Sequence, residues 1–383
     1  MKKNHLKIII AAFIIGSSFV IHSCSKDDEE TGTIAVVGIA QDPSNFKGEV
    51  TNGQVVTLDA TKVYVLNGPV KVKDGGKLVI PAGTRIVATT GAASYILVEQ
   101  GGQIYANGTV NSPVSFTSSA ATTGTWGGLI ICGKAPINTG TTSSSEIGNS
   151  TYGGTSAADN SGSLTYVRIE NAGINFATGI KFNGLSLFGI GSETKVENIA
   201  LVNGAEDGIQ IYGGTVNVSN IVSVGNEDDA FVWTDGWIGT GNNIYTKRKT
   251  SGTGNTGIKG INNATNIAAT PISKPTISNV TLLGGTTGES NAIRLESGSY
   301  ASFKNIVISN WANGFNLDST PTITYINGQS KIEDVFFDTN VTNKVVATGT
   351  TIAANTFTEK ADATGAGSAT ASPAWALGWS TLQ

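Results

Sequence analysis

A four-residue pattern, apolar-x-Asn-apolar, returns along the second half of this chain and sets what it can fold into. It reads Val196-Glu197-Asn198-Ile199, Val218-Ser219-Asn220-Ile221, Ile277-Ser278-Asn279-Val280 and Phe303-Lys304-Asn305-Ile306. The first two asparagines stand 22 residues apart and the last two 26, and the gap of 59 between Asn220 and Asn279 fits two coils with an inserted loop. A second pattern follows at a steady distance: Asp or Asn, a small residue, then apolar-x-apolar. Its copies are Asp207-Gly208-Ile209-Gln210-Ile211, Asp229-Ala230-Phe231-Val232-Trp233, Asn291-Ala292-Ile293-Arg294-Leu295 and Asn313-Gly314-Phe315-Asn316-Leu317, with Thr178-Gly179-Ile180-Lys181-Phe182 as an earlier relative.

Two short strands per coil cannot bury a hydrophobic face alone, whereas stacked coils can. Period-two alternation turns Ile209, Ile211, Phe231 and Trp233 inward and Gln210 and Val232 outward. The small residue before each pair suits a sharp turn, where Gly is favoured at positive φ. A sandwich or propeller would instead show hairpin signals. The expected fold is all-β: a single-stranded right-handed parallel β-helix with coils of about 22 residues and capped ends. Strands at Val63-Tyr64-Val65-Leu66, Val70-Lys71-Val72, Lys77-Leu78-Val79-Ile80 and Leu129-Ile130-Ile131 extend it through the first half. Residues 32–60 are expected to cap one end and the tail, with Trp375 and Trp379, the other. Residues 140–163 and 245–275 read as loops, and excursions of that length often carry function.

Residues 1–23 read as a targeting segment. Lys2, Lys3 and Lys7 precede an apolar run of 14 residues, 8–21, which is short for a membrane span and suits a signal-peptide core. The run ends at Ile21-His22-Ser23-Cys24, which resembles the lipobox of bacterial lipoproteins, with His22 at a position usually small or apolar. The resemblance implies cleavage before Cys24 and acylation there, and two or more acyl chains hold a protein stably on a membrane. Lys26, Asp27, Asp28, Glu29 and Glu30 follow directly. They suit a solvated linker and also resemble the export signal that sends Bacteroidota lipoproteins to the outer face of the outer membrane. The expected organisation is signal peptide 1–23, lipidated cysteine and acidic linker 24–45, and β-helix 46–383.

Composition narrows the chemistry. Without Lys2, Lys3 and Lys7 the 24 basic residues become 21 against 28 acidic ones, a balance of −7 that argues against a nucleic-acid partner. Both histidines, His5 and His22, lie in the targeting segment. The mature chain therefore lacks the base of a Ser-His-Asp or Cys-His site and any imidazole zinc ligand. With Cys24 lipidated, Cys132 has no disulfide partner. A bound metal would be a hard cation on oxygen ligands, in practice calcium.

Gly124-Thr125-Trp126-Gly127-Gly128-Leu129-Ile130-Ile131, Gly133-Lys134-Ala135-Pro136-Ile137-Asn138, Tyr152-Gly153-Gly154, Leu164-Thr165-Tyr166-Val167-Arg168-Ile169-Glu170 and Asn226-Glu227-Asp228-Asp229 resemble a family of Bacteroidota surface lipoproteins of β-helical, pectate-lyase-like build. The likeness spans roughly residues 55–383. It implies fold and address, outer membrane and cell exterior, and no defined activity.

Asp207, Asp228 and Asp229, 21 and 22 residues apart, resemble the carboxylates of polygalacturonase-type glycosidases, where one acid protonates the leaving oxygen and others activate water. Arg294 would add a cation for an acidic sugar. That family's Gly-His-Gly histidine is missing here. Asp207 and Asp229 also share their repeat position with Asn291 and Asn313, which cannot act as acids, so a structural column accepting backbone N–H groups is the stronger reading. Glu206, Asp207, Glu227, Asp228 and Asp229 together could hold calcium, which would relieve their repulsion; a calcium-dependent lyase would then draw its base from Arg294 or Lys181. Trp126, Trp233, Trp237, Trp311, Tyr152 and Tyr245 are candidates for stacking on sugar rings, with Trp233 better suited to the core and Trp237 and Tyr245 to a binding face. Lys181, Gln210, Val232, Arg294 and Asn316 are expected in one outward column. The leading expectation is a non-catalytic surface protein that binds a glycan or an envelope protein. The alternatives are a polysaccharide hydrolase or lyase and an accessory subunit of an outer-membrane complex.

Overall fold

The computed structural model describes residues 37–249, 254–285, 291–354, 356–367 and 369–383. Cys24, Lys26, Asp27, Asp28, Glu29 and Glu30 lie outside the described residues. The described residues from Val37 onward form one compact unit. It is a right-handed parallel β-helix in which, among the described residues, 24 strands form one continuous sheet with every pairing parallel.

Each coil places three short strand segments on three ladders. One ladder stacks Leu185–Phe188, Ile209–Tyr212, Phe231–Thr234, Ile258–Ile261, Asn291–Glu296 and Asn313–Leu317 in register. The other two are the halves of longer strands: Lys195–Val202, Val218–Val224, Thr240–Lys247, Thr276–Leu283 and Ser302–Ser309. These strands bend at Asn198, Asn220, Asn243, Asn279 and Asn305, all with φ between 55° and 58°. Asparagine is among the few residues that enter this left-handed region readily, because its short amide bonds locally. Here the amides also bond along the stack: Asn220 Nδ2 donates to Asn198 Oδ1 at 2.9 Å, Asn243 to Asn220 at 2.8 Å and Asn305 to Asn279 at 2.8 Å. The motif thus encodes a corner and its ladder together. Asn243 fills the 59-residue gap behind Gly241-Asn242, where the missing apolar residue hides the pattern.

Coil length is elastic. Val196 pairs with Val218, 22 residues on, whereas Gly241 pairs with Ile277, 36 residues on. Ile209, Ile211, Phe231 and Trp233 are inward and fully buried, and Gln210 is outward and half-buried; Val232 sits in the outward column yet is buried. The small residue of the second motif has a different reason from the expected turn. Gly208 and Gly314 do not adopt positive φ. A Cβ on Gly208 would lie 2.6 Å from the Ala230 carbonyl oxygen, and one on Gly314 2.6 Å from that of Lys344. The position is small because the neighbouring rung comes so close.

Three other expectations change. Thr178–Phe182 is not a rung: Ile180–Lys181 pairs antiparallel with Asn175–Ala177 in a hairpin that leaves the stack, and Leu185–Phe188 takes the rung instead. Residues 245–275 are not one loop, since Thr240–Lys247 is a long strand and Ile258–Ile261 forms a rung. Residues 140–163 do form an excursion, carrying the hairpin Ser143–Ser144 with Thr151–Tyr152, up to the strand that starts at Gly162. Its Ile147 and Tyr152, together with Ile137, cover Leu97 and Ile130 of the outward column. The tail, finally, does not close the end. It runs back along the flank, where Ala366, Ala376 and Trp379 bury Ala200, Val222 and Tyr245. Thr364 and Gly365 donate their main-chain N–H groups to Asn305 Oδ1 at 2.9 and 3.1 Å, ending the asparagine ladder. Asn305→Ala is therefore expected to cost about 1–2 kcal/mol and to accelerate exchange of the Thr364 and Gly365 amides about tenfold, read by hydrogen exchange. At the opposite end, the 3-10 turns Gly38–Ala40 and Pro43–Asn45 pack on the first rungs.

Candidate functional site

The acidic residues lie where two adjacent coils turn into the ladder that starts at Ile209 and Phe231. Carboxylate oxygens of Glu206, Asp207 and Asp228 lie within 4.8 Å of one another. Asp207 is buried, and its Oδ1 accepts the Asp229 N–H at 3.0 Å. Asp229, also buried, repeats this one rung on: its Oδ1 accepts from Thr256 N–H at 2.8 Å and Thr256 Oγ1 at 2.6 Å. Farther along the same column, Asn313 Nδ2 donates to Asn291 Oδ1 at 2.9 Å and Asn343 Nδ2 to Asn313 Oδ1 at 2.8 Å. Aspartate, threonine and asparagine thus do one job in one column, passing hydrogen bonds between rungs.

Charges around the turn are largely matched. Lys181 reaches Glu206 at 2.8 Å, Lys249 reaches Glu227 at 2.9 Å and Lys259 reaches Asp229 at 3.4 Å. The Lys249 contact holds the Glu227 carboxyl below its usual range. Burial favours loss of the Lys259 proton, but the Asp229 and Glu296 carboxylates outweigh it and raise the ammonium pKa. Among the described residues no lysine or arginine pairs with Asp207 or Asp228 within 4.0 Å. Burial, then the neighbouring carboxylates, push Asp207 well above the ordinary carboxylate range and Asp228 up to about 7. Asp228 is half-buried and accepts from the Asn255 amide. Glu206, Asp207 and Asp228 are the oxygens with the spacing to share one calcium ion; Glu227 and Asp229 of the five-residue expectation lie outside that group and pair with lysines, as Glu206 does with Lys181.

The structure separates the remaining candidates. Arg294 lies two rungs beyond Val232 and bonds Glu296 at 3.0 Å and Asp318 at 2.8 Å. Lys181 is not in the outward column, because its hairpin leaves the stack; the column runs Ser186, Gln210, Val232, Lys259, Arg294, Asn316. Gln210 accepts from the Asn183 amide at 3.0 Å and from Tyr212 Oη at 2.5 Å. Trp237 and Tyr245 are not on a binding face. Trp237 is fully buried beside Phe231 and Trp233, its indole N–H bonded to Val216 O at 3.0 Å, and Tyr245 lies under the tail. Trp126, Trp233, Trp311 and Tyr152 are buried as well, so none of the six aromatic candidates presents a ring to a sugar. Lys259 was missed because Gly257-Ile258-Lys259-Gly260-Ile261 lay inside an expected loop; Thr256, in the place of Asp or Asn, was the available signal.

A family model described as a pectate-lyase-like β-helix domain matches residues 48–380. The chain belongs to that family. No curated protein and no solved structure matches it.

Proposed function

We propose that this protein is a lipid-anchored, surface-exposed β-helix of the bacterial outer membrane that binds a glycan or an envelope protein without catalysing a reaction. The observation that carries the non-catalytic part is the bonding of Asp207 and Asp229. Each spends an oxygen on the main chain of the next rung, in a column whose other members, Thr256, Asn291 and Asn313, cannot exchange protons as acids. Histidine occurs only at positions 5 and 22. The binding strip is the part of the outward column left open by the covering excursion: Gln210, Lys259, Arg294 and Asn316, all half-buried. It offers hydrogen bonds and charge, and no exposed ring among the aromatic candidates, so recognition is polar. Glycan-array and envelope pull-down measurements with the mature protein test this, with Arg294→Ala expected to weaken binding about tenfold. No retained glycan and no co-purifying envelope protein would leave the reading without support.

Lipidation at Cys24 and surface export through Lys26, Asp27, Asp28, Glu29 and Glu30 belong to the same proposal and rest on the sequence pattern. Labelling cells with an alkyne fatty acid is expected to tag the wild type and leave Cys24→Ala unlabelled, and surface proteolysis reports the facing.

One observation favours a second reading, polysaccharide cleavage. Asp228, half-buried with a pKa of about 7 beside Glu206 and Asp207, has the proton affinity of a general acid or base. A cleavage rate that follows a titration near pH 7 and vanishes in Asp228→Asn would establish it; absence of product with pectin, alginate and glycosaminoglycans removes it.

A further inference from the structure

We propose that the C-terminal end of the stack is a docking edge, and that its occupant is an extended segment of another polypeptide that adds one more parallel rung. The last rungs are the strands Asn343–Ala347 and Phe357–Glu359. Each pairs on one side only, with Asn313–Leu317 and Ile332–Phe337 respectively; among the described residues no strand lies beyond them. Thr348 N–H points back to Leu317 O at 3.0 Å. Because main-chain groups alternate in direction along a strand, the N–H and C=O of Val345 and Ala347 point the other way, off the end of the stack.

Three features mark this edge as unfinished. First, Asn343 Nδ2 donates back to Asn313 Oδ1, but no described residue donates to Asn343 Oδ1. The corner ladder contrasts with this, since Thr364 and Gly365 cap Asn305 Oδ1. Second, Phe337, Val345, Ile352 and Phe357 are only partly buried against the core, whereas at the other end, under the 3-10 turns, Phe46 and Val50 of the first strand are fully buried. Third, an open strand edge is a template for pairing that folded proteins ordinarily cover or blunt. Lys344 is the one cation on the strand, and it is neutralised by Glu359 at 2.6 Å.

The occupant follows from continuity with the interface the chain makes between its own rungs. Internal rungs here begin with a donor for the preceding acceptor (the Asp229 N–H, Thr256, Asn313, Asn343), continue with a small residue in several copies, and then read apolar-x-apolar. A partner strand of pattern Asn/Thr-small-apolar-x-apolar would supply a donor to Asn343 Oδ1 and lay its apolar residues over Val345 and Ala347. This is strand addition, where main-chain bonds give affinity and alternate side chains give register. A second copy stacked head to tail would meet the turns at 38–45 that cover its first rungs.

The test uses the full mature protein and a labelled nine-residue peptide, Trp-Ala-Asn-Gly-Phe-Asn-Leu-Asp-Ser, which reproduces residues 311–319. Fluorescence anisotropy is expected to show saturable binding, and hydrogen exchange at the Val345 and Ala347 amides to slow on peptide addition. Ala347→Pro, which removes an outward N–H, is expected to weaken binding about tenfold, and a peptide N-methylated on alternate residues to bind no better than a scrambled one. If the variant unfolds, the methylated peptide still decides. Binding that leaves the two amides unprotected, equal binding of the methylated peptide, or no binding would overturn the proposal. So would self-association of the protein alone that already protects both amides, which would make the occupant a second copy.

Discussion

Asn220→Val lowers the unfolding free energy by about 3 kcal/mol, while Asn220→Gly lowers it by only about 1–2. Asn220 has φ of 56°, where a β-branched residue is strained by about 1–2 kcal/mol. Both variants lose the bonds Asn220 makes to Asn198 and receives from Asn243, each contributing about 0.5–1.5 kcal/mol. Glycine tolerates the conformation and loses only the bonds. Urea titrations of the three proteins give the comparison directly. If valine were no worse than glycine, the left-handed corner would be wrong; if glycine matched wild type, the ladder would contribute nothing.

The second expectation separates two aspartates that look alike in sequence. Asp207→Asn is neutral or stabilising at pH 8, whereas Asp229→Asn is destabilising by about 1–2 kcal/mol at the same pH. Asparagine keeps the Oδ1 acceptor at both positions. At 207 it also removes a buried charge that no described cation pairs with and that sits among carboxylates. At 229 it strips Lys259 of its partner. The pH dependence has a definite sign. Asp207 and Asp228 have raised pKa values when folded, so their contribution is fully present below the unfolded carboxylate range, near pH 4. It is lost as pH rises through the folded value, which for Asp228 is about 7. Wild type therefore loses stability between about pH 4 and pH 7 and beyond at these two sites, and Asp207→Asn flattens that slope. Thermal melts at pH 4.5, 6 and 8 follow it. A steeper slope in the variant would contradict the assignment of charge repulsion to this turn.

Most of the architecture is legible in two short motifs because each does a job that only certain residues do. Asparagine at the corner is visible since few residues accept positive φ and can also bond to their neighbours above and below. The apolar-x-apolar pairs are visible since one side of each strand faces the core. What stays hidden depends on neighbours that are distant in sequence. Thr178–Phe182 matches the second motif, but a hairpin carries it out of the stack; Asn183-Gly184-Leu185 beside it makes the rung. Trp237 reads as a loop residue, yet its indole finds a carbonyl 21 residues back and closes into the core. Tyr245 occupies an outward strand position and would be exposed had the tail not folded over it. At the acidic turn the sequence shows the carboxylates and their column, while the lysines that pair with Glu206, Glu227 and Asp229 come from a hairpin, a neighbouring coil and an unrecognised rung.

Polysaccharide cleavage by Asp207→Asn beside wild type tests most directly whether the acidic column is an internal scaffold. Both proteins, checked for equal folding, are incubated with pectin, alginate and glycosaminoglycans, and reducing ends and unsaturated products are read across pH 5–8. The expected result is no product from either. Product from wild type that disappears in the folded variant would make Asp207 a working acid and contradict the account.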